Sequence, residues 1–555
     1  MFPGVASAVE LAPGIVYKRE VRRIGHERVV IHVLEAPKPG GLYGLEPVLS
    51  NGTVTGRETV SSMQRRLARK ATLAGVNGDL FNWSSGRPSG IFLRSGLLAT
   101  RAAPLRSSLG IGSDGLLRTD FVRFQGTWQV GANRLRLLRE FNHPLEQKNG
   151  VALFSPTWGR KAPERRHARE VVLSHVARVG PNKDVVGTVV ARPPGTGHRI
   201  PASGAVLQAA GDRRPVLLRE AELGHTVALH VGLTPWWPGV GDAIGGGPRL
   251  VTGGVPVFQA GEEFLASQLL PRNPRTAVGQ LANGRIVLVA VDGRVSWSAG
   301  LTNSQLARLM VKLGAVTAMA LDAGGSTTMA WNGRVLNHPS DGRERPIADA
   351  LMVFYFGIYA RHPRLSLYSP NGDGVRDVQK LYAKVVRRSD VTLRLVRLSD
   401  GHVAWSSVAN RRPGTVVKRL SSTLPDGRWR WKVSATDSKG RTSEMSRIFT
   451  TNSTLGWLTL SRSILRPTRK GGRLGISFRL SRQADVEATV RTSQGRVVRR
   501  LLTEHLGTGR HGLVWNVRKR RGAIVRNGRY LVHVRAANAV GAVALGKHVR
   551  VRRRF

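Results

Sequence analysis

The segment Leu321-Asp322-Ala323-Gly324-Gly325-Ser326-Thr327-Thr328-Met329 ends an apolar run in an acid, then supplies two glycines and three hydroxyls. Glycines at such a point let the main chain approach a ligand or take positive φ. Hydroxyls and exposed N–H groups there can hold an oxyanion or a sugar hydroxyl. A glycine-rich β-turn, with Asp322 closing an Asx-turn, uses the same residues for no chemistry. Other segments of the same kind surround it in the chain. Asn77-Gly78-Asp79-Leu80-Phe81 precedes Gly86-Arg87-Pro88-Ser89-Gly90, and Gly245-Gly246-Gly247-Pro248 follows Asp242. Pro274-Arg275-Thr276-Ala277-Val278-Gly279 precedes a strand that ends in Val291-Asp292-Gly293-Arg294. Asn337-His338-Pro339-Ser340-Asp341-Gly342-Arg343-Glu344-Arg345 enters the apolar run 350–356.

Short apolar runs separated by turn residues must position these groups. Residues 28–34 and 108–112 read as strands. Residues 60–73 read as a helix from the spacing of Met63, Leu67 and Leu73. A second helix is expected over 302–313, with Thr302 as N-cap, the stripe Leu306, Leu309, Met310 and Leu313, and Gly314 as the stop. Strands at 285–291 and 318–321 flank it, a β–α–β order inside a β-rich region. The Arg-rich stretch 160–178 has no evident place in this scheme.

The ordered set of motifs resembles the phosphodiester glycosidase family over roughly residues 73–355, with N-acetylglucosamine-1-phosphodiester alpha-N-acetylglucosaminidases as its eukaryotic members and an exopolysaccharide-related bacterial branch. The matching pieces are Asn77-Gly78-Asp79-Leu80-Phe81, Gly245-Gly246-Gly247-Pro248, Arg275-Thr276-Ala277 with Gly279, Asp292-Gly293-Arg294, Leu321-Asp322 with Gly324-Gly325-Ser326-Thr327, and Asn337 with Pro339-Ser340 and Arg345. One position departs: Ala323 stands where the family carries a first glycine. The resemblance implies hydrolysis of the bond between a sugar's anomeric carbon and a phosphodiester. Such a reaction needs the phosphodiester held and neutralised, and a carboxylate to support an oxocarbenium-like carbon or activate water. On this reading Arg275 and Arg345 are phosphate clamps and Asp322 and Asp79 the catalytic carboxylates. Asn77, Gly246, Thr276, Asp292, Gly324, Gly325, Ser326, Thr327 and Ser340 would bind substrate, although an Asp-Gly hairpin turn accounts equally well for Asp292. His338 is an acid/base candidate or a turn histidine, and Trp236-Trp237 a sugar platform or a buried anchor.

Beyond residue 360 the character changes. Two similar stretches follow, with turn signals at Asp400-Gly401, Asp426-Gly427 and Lys439-Gly440, then Gln494-Gly495, Asn527-Gly528 and Val540-Gly541. Polar and apolar residues alternate between the turns, as in tandem β-sandwiches. The expected fold is an α+β mixed-sheet catalytic domain over residues 1–360, followed by two all-β Ig-like sandwiches at 361–452 and 453–555. Ser369-Pro370-Asn371-Gly372-Asp373-Gly374-Val375-Arg376-Asp377 resembles the opening of Ig-like domains of the flagellar hook-capping protein. Asn371, Asp373 and Asp377 are spaced to hold Ca²⁺, but no terminal Glu completes the loop, and an Asx-turn is the other reading. No cofactor is required by the implied chemistry, and Ca²⁺ in the Ig-like region is the one metal expected.

Composition limits the partners. Cysteine is absent from the 555 residues, which removes disulfides, thiolate nucleophiles and thiolate metal sites. The net charge is +51, from 86 Lys and Arg against 35 Asp and Glu. Residues 361–555 hold 43 basic and 10 acidic side chains, against 43 and 25 in residues 1–360. A polyanion tether is therefore expected in the C-terminal region, with an anionic cell-wall polymer as partner. Codon bias toward arginine, alanine and glycine produces the same excess. Basic residues are not clustered with aromatics, so no specific nucleic-acid binding is expected. No apolar run reaches the roughly eighteen residues of a membrane-spanning helix. Ala6-Ser7-Ala8 reads like the cleavage site of a secretory leader missing from the start, so the expected location is secreted or cell envelope. The rival to an enzyme is a non-catalytic polyanion- or polysaccharide-binding envelope protein that keeps the glycosidase fold.

Overall fold

The structure is a computed structural model and describes residues 8–176, 178–235, 237–257, 262–421 and 424–553. Ala6, Ser7 and Trp236 lie outside the described residues. The chain divides into two compact units, the first ending at Phe356 and the second starting at Gly357.

Among the described residues the first unit holds four sheets and four short α-helices. Among the described residues 53% are strand and 7% helix, so β-structure dominates where an α+β domain with two sandwiches was expected. The reason shows at residues 60–73. The helix Val60–Arg66 stops early, and Leu73 belongs instead to the strand Thr72–Asn77, which is buried on both faces. Met63 and Leu67 remain on the helix and its cap, packed with Leu73 in one apolar cluster, so helical spacing misassigned a residue that meets them across a turn.

One eight-stranded sheet is centred on the antiparallel neighbours Glu27–Ala36, Ile286–Val291, Arg275–Leu281 and Ala315–Leu321. Ile286–Val291 is apolar throughout and wholly buried, as a central strand covered on both faces must be. The helix Asn303–Lys312 packs on this sheet through Leu306, Leu309 and Met310. Thr302 accepts from the Gln305 N–H and Gln305 reaches back to the Thr302 N–H, a reciprocal capping box, and Gly314 follows at φ +88°. A five-stranded sheet carries Thr72–Asn77 between Met329–Trp331 and Asp349–Tyr355. The Arg-rich stretch contributes the strand Ala168–Ser174 to a second eight-stranded sheet.

Each half of the second unit pairs a three-stranded with a five-stranded sheet. In the first half Trp429 and Trp431 point inward from Gly427–Asp437 while Arg428 and Arg430 point out, the period-two pattern of a half-buried strand. In the second half one apolar cluster joins Leu474, Ile476 and Phe478 of one sheet to Val486, Val532 and Val534 of the other. Each five-stranded sheet gains a short parallel edge strand, Leu367–Tyr368 and Ile464–Leu465. Among the described residues no helix is long and apolar enough to cross a membrane.

Candidate active site

Strand ends from two sheets of the first unit meet at Asp322. Its N–H donates to the Gly78 carbonyl (2.9 Å), and its carbonyl accepts from Asn77 Nδ2 (2.8 Å). Asp322 is half-buried at the wall of a cleft of about 200 Å³ that Leu80, Phe264, Gln268, Arg294, Ala323 and Gly324 also line. Burial pushes its carboxyl up to about 6, with the Asp79 charge adding to the rise. The Ser326 side chain, the Ala323 N–H and Arg345 work in the opposite direction.

The turn after Asp322 explains the departure at Ala323. Ala323 sits at φ −115°, ψ −173°, extended backbone that any residue adopts, so its methyl costs the turn nothing. The left-handed position is Gly324, at φ +65°. Gly325 is needed for a different reason: a Cβ there would lie 1.8 Å from Arg345 Nη2. Arg345 thus lies against the turn, held by Asp341 through Nε (2.8 Å) and within 5.0 Å of the exposed Trp83 ring. On the other side the guanidinium of Arg294 comes within 3.3 Å of a Cβ built on Gly324, and its Nε is held by Asn273 (2.9 Å). Two arginines therefore flank the glycine pair.

Behind Asp322 lie two more acids. Asp79 is buried; its Oδ1 accepts from Arg106 Nη2 (2.7 Å) and its Oδ2 from the Gly90 N–H (2.5 Å). Asp349 is fully buried, its Oδ1 accepting from the Asp79 N–H (2.8 Å) and its Oδ2 without a protein partner. Burial, then the charges of Asp79 and Asp322, push the Asp349 carboxyl well above the usual carboxylate range. Asp349 therefore keeps its proton in the folded state at pH values where the unfolded chain has lost it. Between the unfolded value near 4 and the native one, stability drops by about 1.4 kcal/mol per pH unit as pH rises. Asp349→Asn removes that dependence. Urea denaturation at pH values stepped upward from about 4.5 is expected to show the variant gaining on the native chain as pH rises; parallel profiles would contradict a buried neutral Asp349.

Several residues expected to bind substrate are engaged inside the protein. Arg275 is 3% exposed, with Nε on the Leu301 carbonyl, Nη1 on Gln268 and Nη2 on Leu269 and Pro271. Burial, then the charge of Arg294, pulls it down to about 10. It braces the loop 268–271 and is also among the residues that line the cleft beside Asp322. Asn77 and Thr276 are struts: Thr276 Oγ1 donates to Asn77 Oδ1 (2.7 Å), which also accepts from the Thr328 N–H. Asp292 is a buried hub. One oxygen pairs with His32 Nε2 (3.0 Å) and the other accepts from the His338 N–H (2.9 Å). His32 Nδ1 in turn meets Tyr17 Oη (2.8 Å), and the His338 ring stands edge-on to Trp297. Gly246 offers its carbonyl to Arg106. Ser326 is buried, beneath Arg345 Nη1. Thr327 Oγ1 and Ser340 Oγ are buried without a protein partner, as are Thr328 Oγ1 and Arg106 Nε. Orphaned polar groups gathered in one place are a mark of a functional site. Trp237 packs on an apolar cluster and is an anchor.

Asp349, Arg106, Arg294 and Trp83 were not singled out in the sequence. Asp349 carried the one usable signal, an acid at the head of a strand that is otherwise apolar. Among the described residues no group of three or more His, Asp or Glu side chains is arranged to hold a metal ion. In the second unit, Asp377 Oδ1 accepts from the N–H groups of Asn371 and Gly372 and its Oδ2 from Gly374. Asn371 Oδ1 accepts from the Asp373 N–H. The oxygens expected to ligate Ca²⁺ thus face main-chain donors, and a cation would have to displace them.

A β-rich unit with Asp322 on the wall of a cleft, followed by paired sandwiches, is the architecture these residues build. The chain carries a phosphodiester glycosidase domain, matched over residues 179–354, and a FlgD Ig-like domain, matched over residues 462–539. The first match contains Arg294, Asp322, Arg345 and Asp349; Asp79 and Arg106 lie ahead of it. A segment of 84 residues is 39% identical to the SPbeta prophage-derived uncharacterized protein YomE of Bacillus subtilis, spanning 15% of this chain and 13% of that protein. A segment of 67 residues is 40% identical to N-acetylglucosamine-1-phosphodiester alpha-N-acetylglucosaminidase of Bos taurus, spanning 12% of each chain. The fold is shared with a hypothetical protein from Synechocystis at TM-score 0.54 and 23% identity, over 63% of this chain and 64% of that one.

Proposed function

We propose that the first unit hydrolyses the bond between the anomeric carbon of a sugar and a phosphodiester oxygen, in an envelope or extracellular glycan or a nucleotide sugar. The observation that carries this reading is Asp322, a half-buried carboxyl raised to about 6 on a cleft wall beside two guanidiniums. Arg294 and Arg345 hold the phosphodiester and neutralise the charge it gains on leaving. The phosphate monoester released from the diester is a weak base, so it departs with the bonding electron pair without strong acid assistance. Asp322, as carboxylate, supports the positive anomeric carbon or takes a proton from the attacking water, whose oxygen forms the new bond. Asp79 sits behind it and adds to the rise that burial causes. The bovine relative's name states a sugar phosphodiester as its substrate, which supports the same class here. The basic sandwiches hold the enzyme on anionic envelope polymers, and the expected location is secreted or envelope.

The test is incubation of the purified chain with an N-acetylglucosamine-1-phosphodiester and with a nucleotide sugar, following free sugar by mass spectrometry. Released sugar supports the hydrolase. No release across several sugars would favour a binding protein that retains the fold. On this reading the Trp83 ring, 60% exposed and within 5.0 Å of the Arg345 guanidinium, stacks on the sugar. Trp83→Ala is expected to raise KM by about three- to tenfold with kcat nearly unchanged. An unchanged KM would remove Trp83 from the site.

A further inference from the structure

Trp457 is an unusual residue in the second sandwich. The strand Leu455–Leu460 slips register against Leu474–Leu480 between Gly456 and Thr459. Trp457 lies in that bulge at φ +52°. Left-handed backbone is strained for a bulky residue, and a bulge re-aims the side chain it carries. Here the outcome is an indole left 40% exposed, whereas Trp515 of the same sandwich is fully buried.

One arginine stands beside that indole, and a second is paired with it on the next strand. Arg479 and Arg510 are direct cross-strand partners, and the Arg479 guanidinium lies 5.4 Å from the Trp457 ring. Arg510 Nε donates to Ser477 Oγ (3.0 Å). Like charges directly opposite one another oppose strand pairing. Among the described residues neither guanidinium has an acidic partner. Asp373 approaches Trp457, but its two oxygens are engaged by the N–H groups of Val375 (2.8 Å) and Trp457 (2.9 Å). Strain, an exposed aromatic face and an unneutralised arginine pair thus coincide on one outer sheet face.

We propose that Trp457, Arg479 and Arg510 form a subsite for a phosphodiester-linked glycan, with one sugar ring on the indole and the adjoining phosphate between the guanidiniums. The apolar face of a pyranose complements an aromatic ring. The guanidinium fork complements a phosphate. The subsite rests on the tethering part of the reading above and is independent of what the first unit cleaves.

The probe is a glycerol-phosphate polymer bearing glucosyl substituents, which has no sugar-1-phosphate bond for the first unit to cut. Binding to the full chain is read by calorimetry, so a failed hydrolase reading leaves this test intact. Trp457→Gly is the informative variant, because glycine accepts φ +52° and removes only the ring. Its affinity for the polymer is expected to fall about tenfold while Tm holds or rises. Arg510→Gln is expected to weaken binding and flatten its salt dependence. Native affinity in Trp457→Gly overturns the proposal, as does equal affinity for the polymer without sugars, which would leave charge alone as the attraction. A Tm that falls together with affinity assigns Trp457 to the fold and overturns it too.

Discussion

Asp322→Asn is expected to lower kcat/KM for a sugar-1-phosphodiester by about 10²–10⁴-fold with little change in stability. Asparagine keeps the shape that accepts from the Ala323 N–H (2.8 Å) but cannot take a proton or carry charge. The pH profile supplies the sharper check. A carboxyl raised to about 6 and needed in its ionised form gives an acid limb near pH 6, below which kcat/KM falls tenfold per unit. An acid limb near 4 would mean that the working carboxylate is an ordinary exposed one. A profile that instead falls above pH 6 would make Asp322 the proton donor. Retained activity in Asp322→Asn would remove the residue from the chemistry.

Local signals in the sequence were reliable where a single element decides the outcome. The capped helix is legible because Thr302, Gln305 and Gly314 each act within one turn of it. The turn after Asp322 is legible because its glycine pair answers to local geometry, one residue to positive φ and the next to the approach of Arg345. What failed was the choice between a side chain facing the cleft and one facing the core. Arg275 and Asn77 carry the same donors in either orientation, and only their partners, the carbonyls of Gln268, Pro271 and Leu301 for Arg275 and the Thr276 hydroxyl for Asn77, show how each is engaged. Arg294 was quoted with its motif and left without a role, because its closeness to Gly324 arises from the order of strands in one sheet, with Ile286–Val291 and Ala315–Leu321 on either side of Arg275–Leu281, which one strand's pattern does not encode. The same ambiguity holds in the second unit: acidic spacing describes a calcium loop and an Asx-turn alike, and in the structure the N–H groups of Asn371, Gly372 and Gly374 point at Asp377.

Removing Arg106 is expected to have the largest effect on stability. Arg106 is 8% exposed and Asp79 1%, so Arg106→Met would leave a carboxylate in the interior with the Gly90 N–H as its remaining donor. Breaking a buried pair from one side costs about 3–5 kcal/mol. Adding Asp79→Asn removes the stranded charge, so the double variant is expected to recover most of the loss, a coupling that a double-mutant cycle in urea measures directly. The same pair separates two roles for Asp79. As a reacting carboxylate, its replacement would abolish turnover as Asp322→Asn does. As the like charge behind Asp322, its replacement moves the acid limb of kcat/KM below 6 and reduces kcat far less, because the Asp79 charge is a secondary cause of the raised Asp322 carboxyl and burial the primary one. Both oxygens of Asp79 are already engaged by Arg106 and Gly90, and this favours the second outcome.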